Sequence, residues 1–229
     1  ARPLRRDVSR LVVPLLIPDL PVYLYWPDAL VGEHPPLLDA LARQSDFVIL
    51  DSARAGNPEE ALSHLDELAS RLGPGPRPRD LNWSRLTAWR DMLADLFESP
   101  DRRPWLADVA TLDVLASAGI ACEGPPIYPA RPLLFAGWFI RRLGWRTHAV
   151  RAHGEAVEIE ADRGRRVTIH LDGFGVPKGK LLGLHLRWSD GREVIVECGE
   201  KGFHVAVTAA DGTPLERRIT RGLELEGRL

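Results

Sequence analysis

The sequence predicts an α/β fold in which an N-terminal βαβ-type unit with a partly parallel sheet and flanking helices is followed by a C-terminal antiparallel β-meander. Two apolar runs, residues 20–26 and Phe47-Val48-Ile49-Leu50, enclose a short helical stretch at 37–43. An unbroken apolar strand suits a position covered on both faces, as parallel strands usually are. From about Thr147 the pattern changes to short alternating runs separated by Asp162-Arg163-Gly164, Ser189-Asp190-Gly191 and Ala210-Asp211-Gly212, which are hairpin signals. The change divides the chain into an α/β domain over 1–145 and a meander domain or subdomain over 146–229.

Along the first part, residues 20–26 read as a strand closed by Pro27-Asp28, and 46–50 as a second strand. The next helix is the best specified element. Asn57 can cap it, Pro58 suits its first position and Glu60 completes a capping box. Ala61, Leu62, Leu65, Leu68, Ala69 and Leu72 form its apolar stripe, and Gly73-Pro74 ends it. The Pro/Gly/Arg-rich stretch 73–79 reads as an exposed connection. Leu86, Trp89, Leu93, Leu96 and Phe97 give a further amphipathic helix, 108–114 a third strand, and 132–143 a helix apolar nearly all round, expected to lie buried between layers.

In the meander, alternation puts Val167, Ile169, Leu171, Leu182, Leu184, Leu186, Trp188, Val194, Val196, Cys198, Phe203, Val205 and Val207 on a core face. The opposite face collects Arg166, Thr168, His170, His185, Arg187, Glu193, Glu197 and His204. A solvated sheet face is the first reading of that set and a partner-docking surface the second. The three histidines lack a close ligand pair such as H-x-x-x-H, so no metal is assigned. Cys198 is expected to be a small buried hydrophobe, and Cys122, in a Gly/Pro-rich loop, to be accessible.

Composition limits the function classes. The 229 residues are 45% hydrophobic, enough for a real core. Thirty Lys and Arg against 32 Asp and Glu leave a net charge of -2, which gives no general attraction to nucleic acid or anionic membrane. Two cysteines argue against a disulfide scaffold and for a reducing compartment, taken as the cytoplasm. The longest apolar stretch, 132–140, falls well short of the roughly 20 residues that cross a bilayer. The basic start lacks the apolar core of a signal peptide, and with no initiator methionine the chain reads as trimmed.

Few residues suggest chemistry. Asp51-Ser52-Ala53-Arg54 follows a parallel strand, the usual ligand crevice of an open α/β sheet, and Ser52 and Arg54 are candidates for anion binding there, with Asp28 nearby in the same reading. The Gly-rich phosphate fingerprint is absent and Glu59-Glu60 oppose negative charge. The alternative has Asp51 and Arg54 simply fastening the loop. Ser52 lacks a G-x-S-x-G elbow and a marked base, so no catalytic residue is assigned. Asp28, Asp51 and Asp113 near strand ends read as caps before they read as acids or magnesium ligands. The tract 80–90 holds Trp83, Trp89, Arg85 and Arg90. Tryptophan and arginine are the residues most enriched at interface hot spots. Trp89 belongs on the core stripe, whereas Trp83, Arg85 and Arg90 are candidates for partner contact, as are Arg166, His185 and Arg187 in the meander.

Several segments together resemble the OpcA family, the glucose-6-phosphate dehydrogenase assembly proteins of cyanobacteria and actinobacteria. The resemblance rests on Leu15-Leu16-Ile17-Pro18-Asp19-Leu20-Pro21-Val22 running into the Tyr/Trp strand, on Asp51-Ser52-Ala53-Arg54, on the tract 80–97, and on Ala136-Gly137-Trp138 with Arg142-Leu143-Gly144-Trp145. It covers the first two-thirds of the chain; the meander matches only in general character. It implies a non-catalytic accessory protein, without a cofactor, that binds glucose-6-phosphate dehydrogenase and promotes its assembly or allosteric activation. Two departures stand out: the segment usual before the Leu-Pro-Asp-Leu-Pro run is missing, and the C-terminal end is short and Gly-rich. Redox sensitivity in relatives cannot be placed on Cys122 or Cys198 by motif. The alternative is a sensor or enzyme holding a sugar phosphate or nucleotide in the crevice near Asp51 to Arg54.

Overall fold

Three short strands, β1 (Tyr23–Tyr25), β2 (Phe47–Leu50) and β3 (Arg77–Asp80), lie parallel in the order β1-β2-β3. They belong to the first of two compact units, Ala1–Ser84 and Arg85–Leu229, of a computed structural model that describes residues 11–17, 19–28, 36–54, 57–118, 129–172, 179–200 and 202–220. Helix α1 (Pro36–Ala42) connects β1 to β2, α2 (Pro58–Leu72) connects β2 to β3, and the single turn α3 (Leu81–Ser84) follows. Both crossovers step in the same direction across the sheet, so a common right-handed sense puts α1 and α2 on one face. The packing agrees, since Leu38 and Ala42 of α1 and Leu68 and Leu72 of α2 form one core with Val48 and Leu50.

The helix α2 forms as its sequence dictates. The Glu60 amide donates to Asn57 Oδ1 at 3.4 Å, satisfying one of the open N–H groups at the helix start. Gly73 takes φ +63° just past the end, a left-handed position that other residues occupy at a cost. Ala61, Leu68 and Leu72 are buried, Leu62 and Leu65 half-buried, and Ala69 is exposed.

Two expectations for this unit change. Val48 and Leu50 are 0% and 1% exposed, but Phe47 and Ile49 are only half-buried, because both helices cover the same face. The stretch 73–79, expected to be an exposed connection, supplies β3. Proline is tolerated there because β3 is an edge strand, where one row of backbone groups has no ladder partner.

The second unit holds an eight-stranded sheet in the order β11-β10-β9-β8-β4-β7-β6-β5. Its strands are β4 (Val109–Ser117), β5 (Thr147–His153), β6 (Ala156–Ala161), β7 (Arg166–Asp172), β8 (Leu181–Trp188), β9 (Glu193–Gly199), β10 (Gly202–Thr208) and β11 (Pro214–Thr220). All neighbours are antiparallel except β4 and β7. The strand expected at 108–114 is β4, and it sits inside this sheet rather than beside β2. The domain boundary drawn at 145/146 therefore gives way to one after Ser84, since a boundary at 145 would cut β4 from both of its partners.

The core face matches the alternation closely. Leu112, Val114, Ala116, Val167, Ile169, Leu184, Leu186, Val194 and Val196 are at most 2% exposed. Two expected members differ. A register irregularity between Leu115 and Ala116 puts Leu181 opposite Ala116, so Leu181 is buried and Leu182 half-buried. Cys198 is half-buried at the end of β9; Cys122 lies outside the described residues. From helix α4 (Thr87–Leu96), Trp89 packs on Phe203 with ring centroids 4.6 Å apart. Helix α5 (Ala130–Arg142) buries Phe135, Ala136, Phe139 and Ile140 but leaves Gly137 exposed and Leu133, Leu134 and Trp138 half-buried. It is not enclosed between layers as its composition predicted. Trp188 ends the core, its indole Nε1 donating to the Trp105 carbonyl at 2.7 Å.

Leu112, 0% exposed at the centre of β4, gives the most direct stability test. Leu112→Ala should cost about 2–5 kcal/mol, read as a lower midpoint in urea unfolding of the intact chain. A loss below about 1 kcal/mol would mean that the β4 core is not packed as described.

Candidate functional site

Two polar constellations stand out, one in each unit. In the first, the loop after β2 begins a one-turn 3-10 helix, Ser52–Arg54. Ser52 is 5% exposed. Its hydroxyl donates to Asp80 Oδ2 at 2.7 Å and its amide to Asp80 Oδ1 at 3.1 Å. Asn82, 1% exposed, completes the set: its amide donates to Asp80 Oδ1 at 2.9 Å and its side-chain Nδ2 to Ser52 Oγ at 3.1 Å. The strand-end amide and hydroxyl that an external anion would use are thus already donated to an internal carboxylate. Asp51 accepts from the Ala53 amide at 3.2 Å, a loop-fastening contact, while Arg54 and Asp28 are exposed. Sequence reasoning found Ser52 but missed Asp80 and Asn82, because nothing local marks 77–80 as the neighbouring strand.

The second constellation is the outer face of the eight-stranded sheet. Thr111 of β4 pairs in register with Arg166 on one side and Arg187 on the other, and Asp113 pairs with Thr168 and His185. The sheet therefore brings Arg166, His185 and Arg187 together. Arg187 donates to the Asp113 carboxylate through one terminal nitrogen, and through Nε to Thr111 Oγ1 at 3.2 Å. His170 Nε2 lies 3.7 Å from the other Asp113 oxygen, and His185 Nε2 lies 3.7 Å from Glu193. Arg166 reaches Glu158 at 3.1 Å, and Arg151 pairs with Glu160. Each arginine of this central array is matched by a carboxylate of a neighbouring strand. His204 lies farther along the face, on β10, beyond β9 from His185. Among the described residues no three His, Cys, Asp or Glu side chains converge as a metal site would require.

At the end of this face an open pocket of about 550 Å³ is lined by Leu115, His153, Glu155, Ala156, His170, Leu171 and Asp172. Pairing of β5 and β7 through β6, with His153 opposite Ala156 and Ala156 opposite His170, brings the two histidines to one rim.

The 80–90 tract spans the boundary between units. Trp83, one residue before the end of the first unit, is half-buried; Arg85 opens the second and is also half-buried. Arg90 donates to Thr87 Oγ1 at 2.9 Å, and burial pushes its guanidinium below the usual arginine range, opposed by the charge of Asp91. Trp89 is 3% exposed, on the core stripe as expected.

The Ser52 network makes a stability prediction. Ser52→Ala removes the hydroxyl donor to Asp80 and the acceptor for Asn82, and should cost about 1–3 kcal/mol in urea unfolding, with far-UV circular dichroism unchanged. An unaltered midpoint would mean that the network contributes nothing to holding β2 and β3 together.

Comparison with known proteins accounts for both units. Two family descriptions, both of a glucose-6-phosphate dehydrogenase subunit, match in succession: its N-terminal domain over residues 1–67 and its C-terminal domain over 76–223. A protein of Synechococcus elongatus named OpcA, with a provisional assignment to the OxPP cycle, is 30% identical over 189 residues, covering 78% of this chain and 40% of its own length. Its namesake in Nostoc punctiforme is 34% identical over 139 residues, covering 61% of this chain and 27% of its own. The chain thus spans at most about 40% of these relatives. Among solved structures, levoglucosan dehydrogenase superposes with a TM-score of 0.54 at 10% identity, over 93% of this chain and 62% of that one. A mutant of the 3-ketoreductase KijD10 from Actinomadura kijaniata gives 0.54 at 12%, over 88% and 64%. At such identities the likeness is one of fold alone. The two consecutive family matches, with relatives that bear the same name, make this chain a member of the OpcA family of glucose-6-phosphate dehydrogenase subunits.

Proposed function

We propose that this chain is a non-catalytic subunit that binds glucose-6-phosphate dehydrogenase and favours its active assembly, serving the oxidative pentose phosphate pathway in the cytoplasm. One observation carries the reading: both family descriptions that cover the chain are descriptions of a subunit of that enzyme. A subunit acts through contact, and the outer face of the eight-stranded sheet carries an ordered cross-strand array of charged side chains. Arg166, His185 and Arg187 are the proposed contacts there, with Trp83, Arg85 and Arg90 as further contacts. Cross-strand ion pairs hold the sheet-face arginines in fixed positions, so docking orders few side chains. No described helix is long and apolar enough to cross a membrane.

The mechanism is linkage. A protein that binds the active assembly better than the inactive one shifts the population by its differential affinity. A preference of about 2.7 kcal/mol changes the ratio roughly a hundredfold.

Titrating the chain into purified glucose-6-phosphate dehydrogenase from the same source, with initial rate and complex mass followed together, should give a saturable rate change and a defined complex. Replacing Arg166 and Arg187 together by alanine, in a chain with an unchanged unfolding midpoint, should weaken binding about tenfold or more. Binding within about twofold of the unaltered chain would remove the sheet face from the proposal, and absence of any complex would remove the subunit reading itself.

A further inference from the structure

A parallel sheet is normally covered on both faces, and among the described residues of the first unit helices cover one face of the sheet and leave the other uncovered. The uncovered face, fixed by strand alternation and register, presents Tyr23, Phe47 and Arg77 in one row and Tyr25, Ile49 and Arg79 in the next. Tyr23 stacks on Phe47 with centroids 4.9 Å apart and planes 15° from parallel. The guanidinium of Arg79 sits 5.6 Å from the Phe47 centroid, within cation–π range. Tyr23 and Tyr25 are 59% and 50% exposed.

The charge on this face differs from that on the eight-stranded sheet. There, Arg151, Arg166 and Arg187 are each matched by Glu160, Glu158 or Asp113. Here Arg77 and Arg79 stand exposed among apolar side chains, with Asp51, just past β2, the carboxylate that follows Phe47 and Ile49 in the alternation, and among the described residues no ion pair engages either arginine. Two exposed guanidinium groups beside a tyrosine-rich apolar platform suit the carboxylates of a partner protein. In the segment leading into β1, Leu15, Ile17 and Leu20 are 79%, 64% and 59% exposed. A platform that adds the aliphatic Ile49 to the aromatic rings fits a protein surface better than a nucleotide, which would stack on the rings alone.

We infer that the open face of the three-stranded sheet is a second docking surface, and that its occupant is an acidic protein patch in which carboxylates flank an apolar side chain. The inference takes the partner, glucose-6-phosphate dehydrogenase, from the reading above and adds where the first unit engages it and with what chemistry. Tyr23, Tyr25, Phe47 and Ile49 receive the apolar group, and Arg77 and Arg79 receive the acids. Binding through this face weakens with salt, since its charged contacts lie at an exposed rim.

The test compares binding of the unaltered chain, Arg77→Glu with Arg79→Glu, and Arg77→Glu alone to purified glucose-6-phosphate dehydrogenase at low and high salt. The single variant leaves the Arg79–Phe47 contact in place and decides the matter if the double variant fails to fold. The expected result is a dissociation constant raised about tenfold or more by the double change and about threefold or more by the single one, with a flatter salt dependence. A folded variant that binds as the unaltered chain does overturns the inference and leaves the subunit reading standing. An unaltered chain that does not bind the enzyme overturns both. Two further results also overturn the inference: self-association of the chain abolished by Arg77→Glu, which identifies a second copy as the occupant, and saturable binding of ADP abolished by the same change, which identifies a nucleotide platform.

Discussion

Strand β4 is the constraint on which the larger unit depends. It lies between β7, to which it is parallel, and β8, to which it is antiparallel, so it alone joins the β5–β7 strands to the β8–β11 strands in one sheet. Its inward side chains, Leu112, Val114 and Ala116, are fully buried. Its outward residues Thr111 and Asp113 accept the hydrogen bonds of Arg187. One strand thus fixes both the core and the charged face, which is why the polar array is ordered rather than a loose set of surface charges. Without β4 the sheet would part into two smaller sheets, each with an additional open edge.

The sequence made some of this legible and hid the rest for physical reasons. The helix Pro58–Leu72 could be read residue by residue because its cap, stripe and terminating glycine all act locally. The inward faces of β7 to β10 could be read because alternation is a strong local signal, failing only where the Leu115/Ala116 irregularity moved Leu181 into the place expected of Leu182. What local patterns do not carry is which strand pairs with which. Residues 108–114 looked like a strand, but only long-range pairing decides that they join β7 and β8 rather than β2. Residues 77–80 did not look like a strand at all: Arg-Pro-Arg-Asp has no apolar period and survives as a strand because it occupies an edge and is anchored by Asp80 to Ser52. The candidate site divides in the same way. Arg166, His185 and Arg187 were legible as one face, whereas Asp80 as the internal partner of Ser52 was not.

The two sheets present surfaces of different chemistry. On the larger sheet, arginines and carboxylates of adjacent strands neutralise one another, which sets an arrangement of charge without a strong net field. On the smaller sheet, exposed Arg77 and Arg79 lie beside stacked aromatic rings, and among the described residues no ion pair engages them. A matched array favours shape and register in recognition, and an unmatched pair favours attraction to opposite charge. The fold shared with levoglucosan dehydrogenase and KijD10 provides the sheets, and the function rests on what their exposed faces carry.

Hydroxyl-radical footprinting of the chain, alone and saturated with glucose-6-phosphate dehydrogenase, tests the central claim most directly. The account predicts that labelling falls at Tyr23 and Tyr25 on the first unit and at His170 and His185 on the second when the enzyme is present. Unchanged labelling at all four residues, in a sample where the complex is demonstrated by mass, would contradict it.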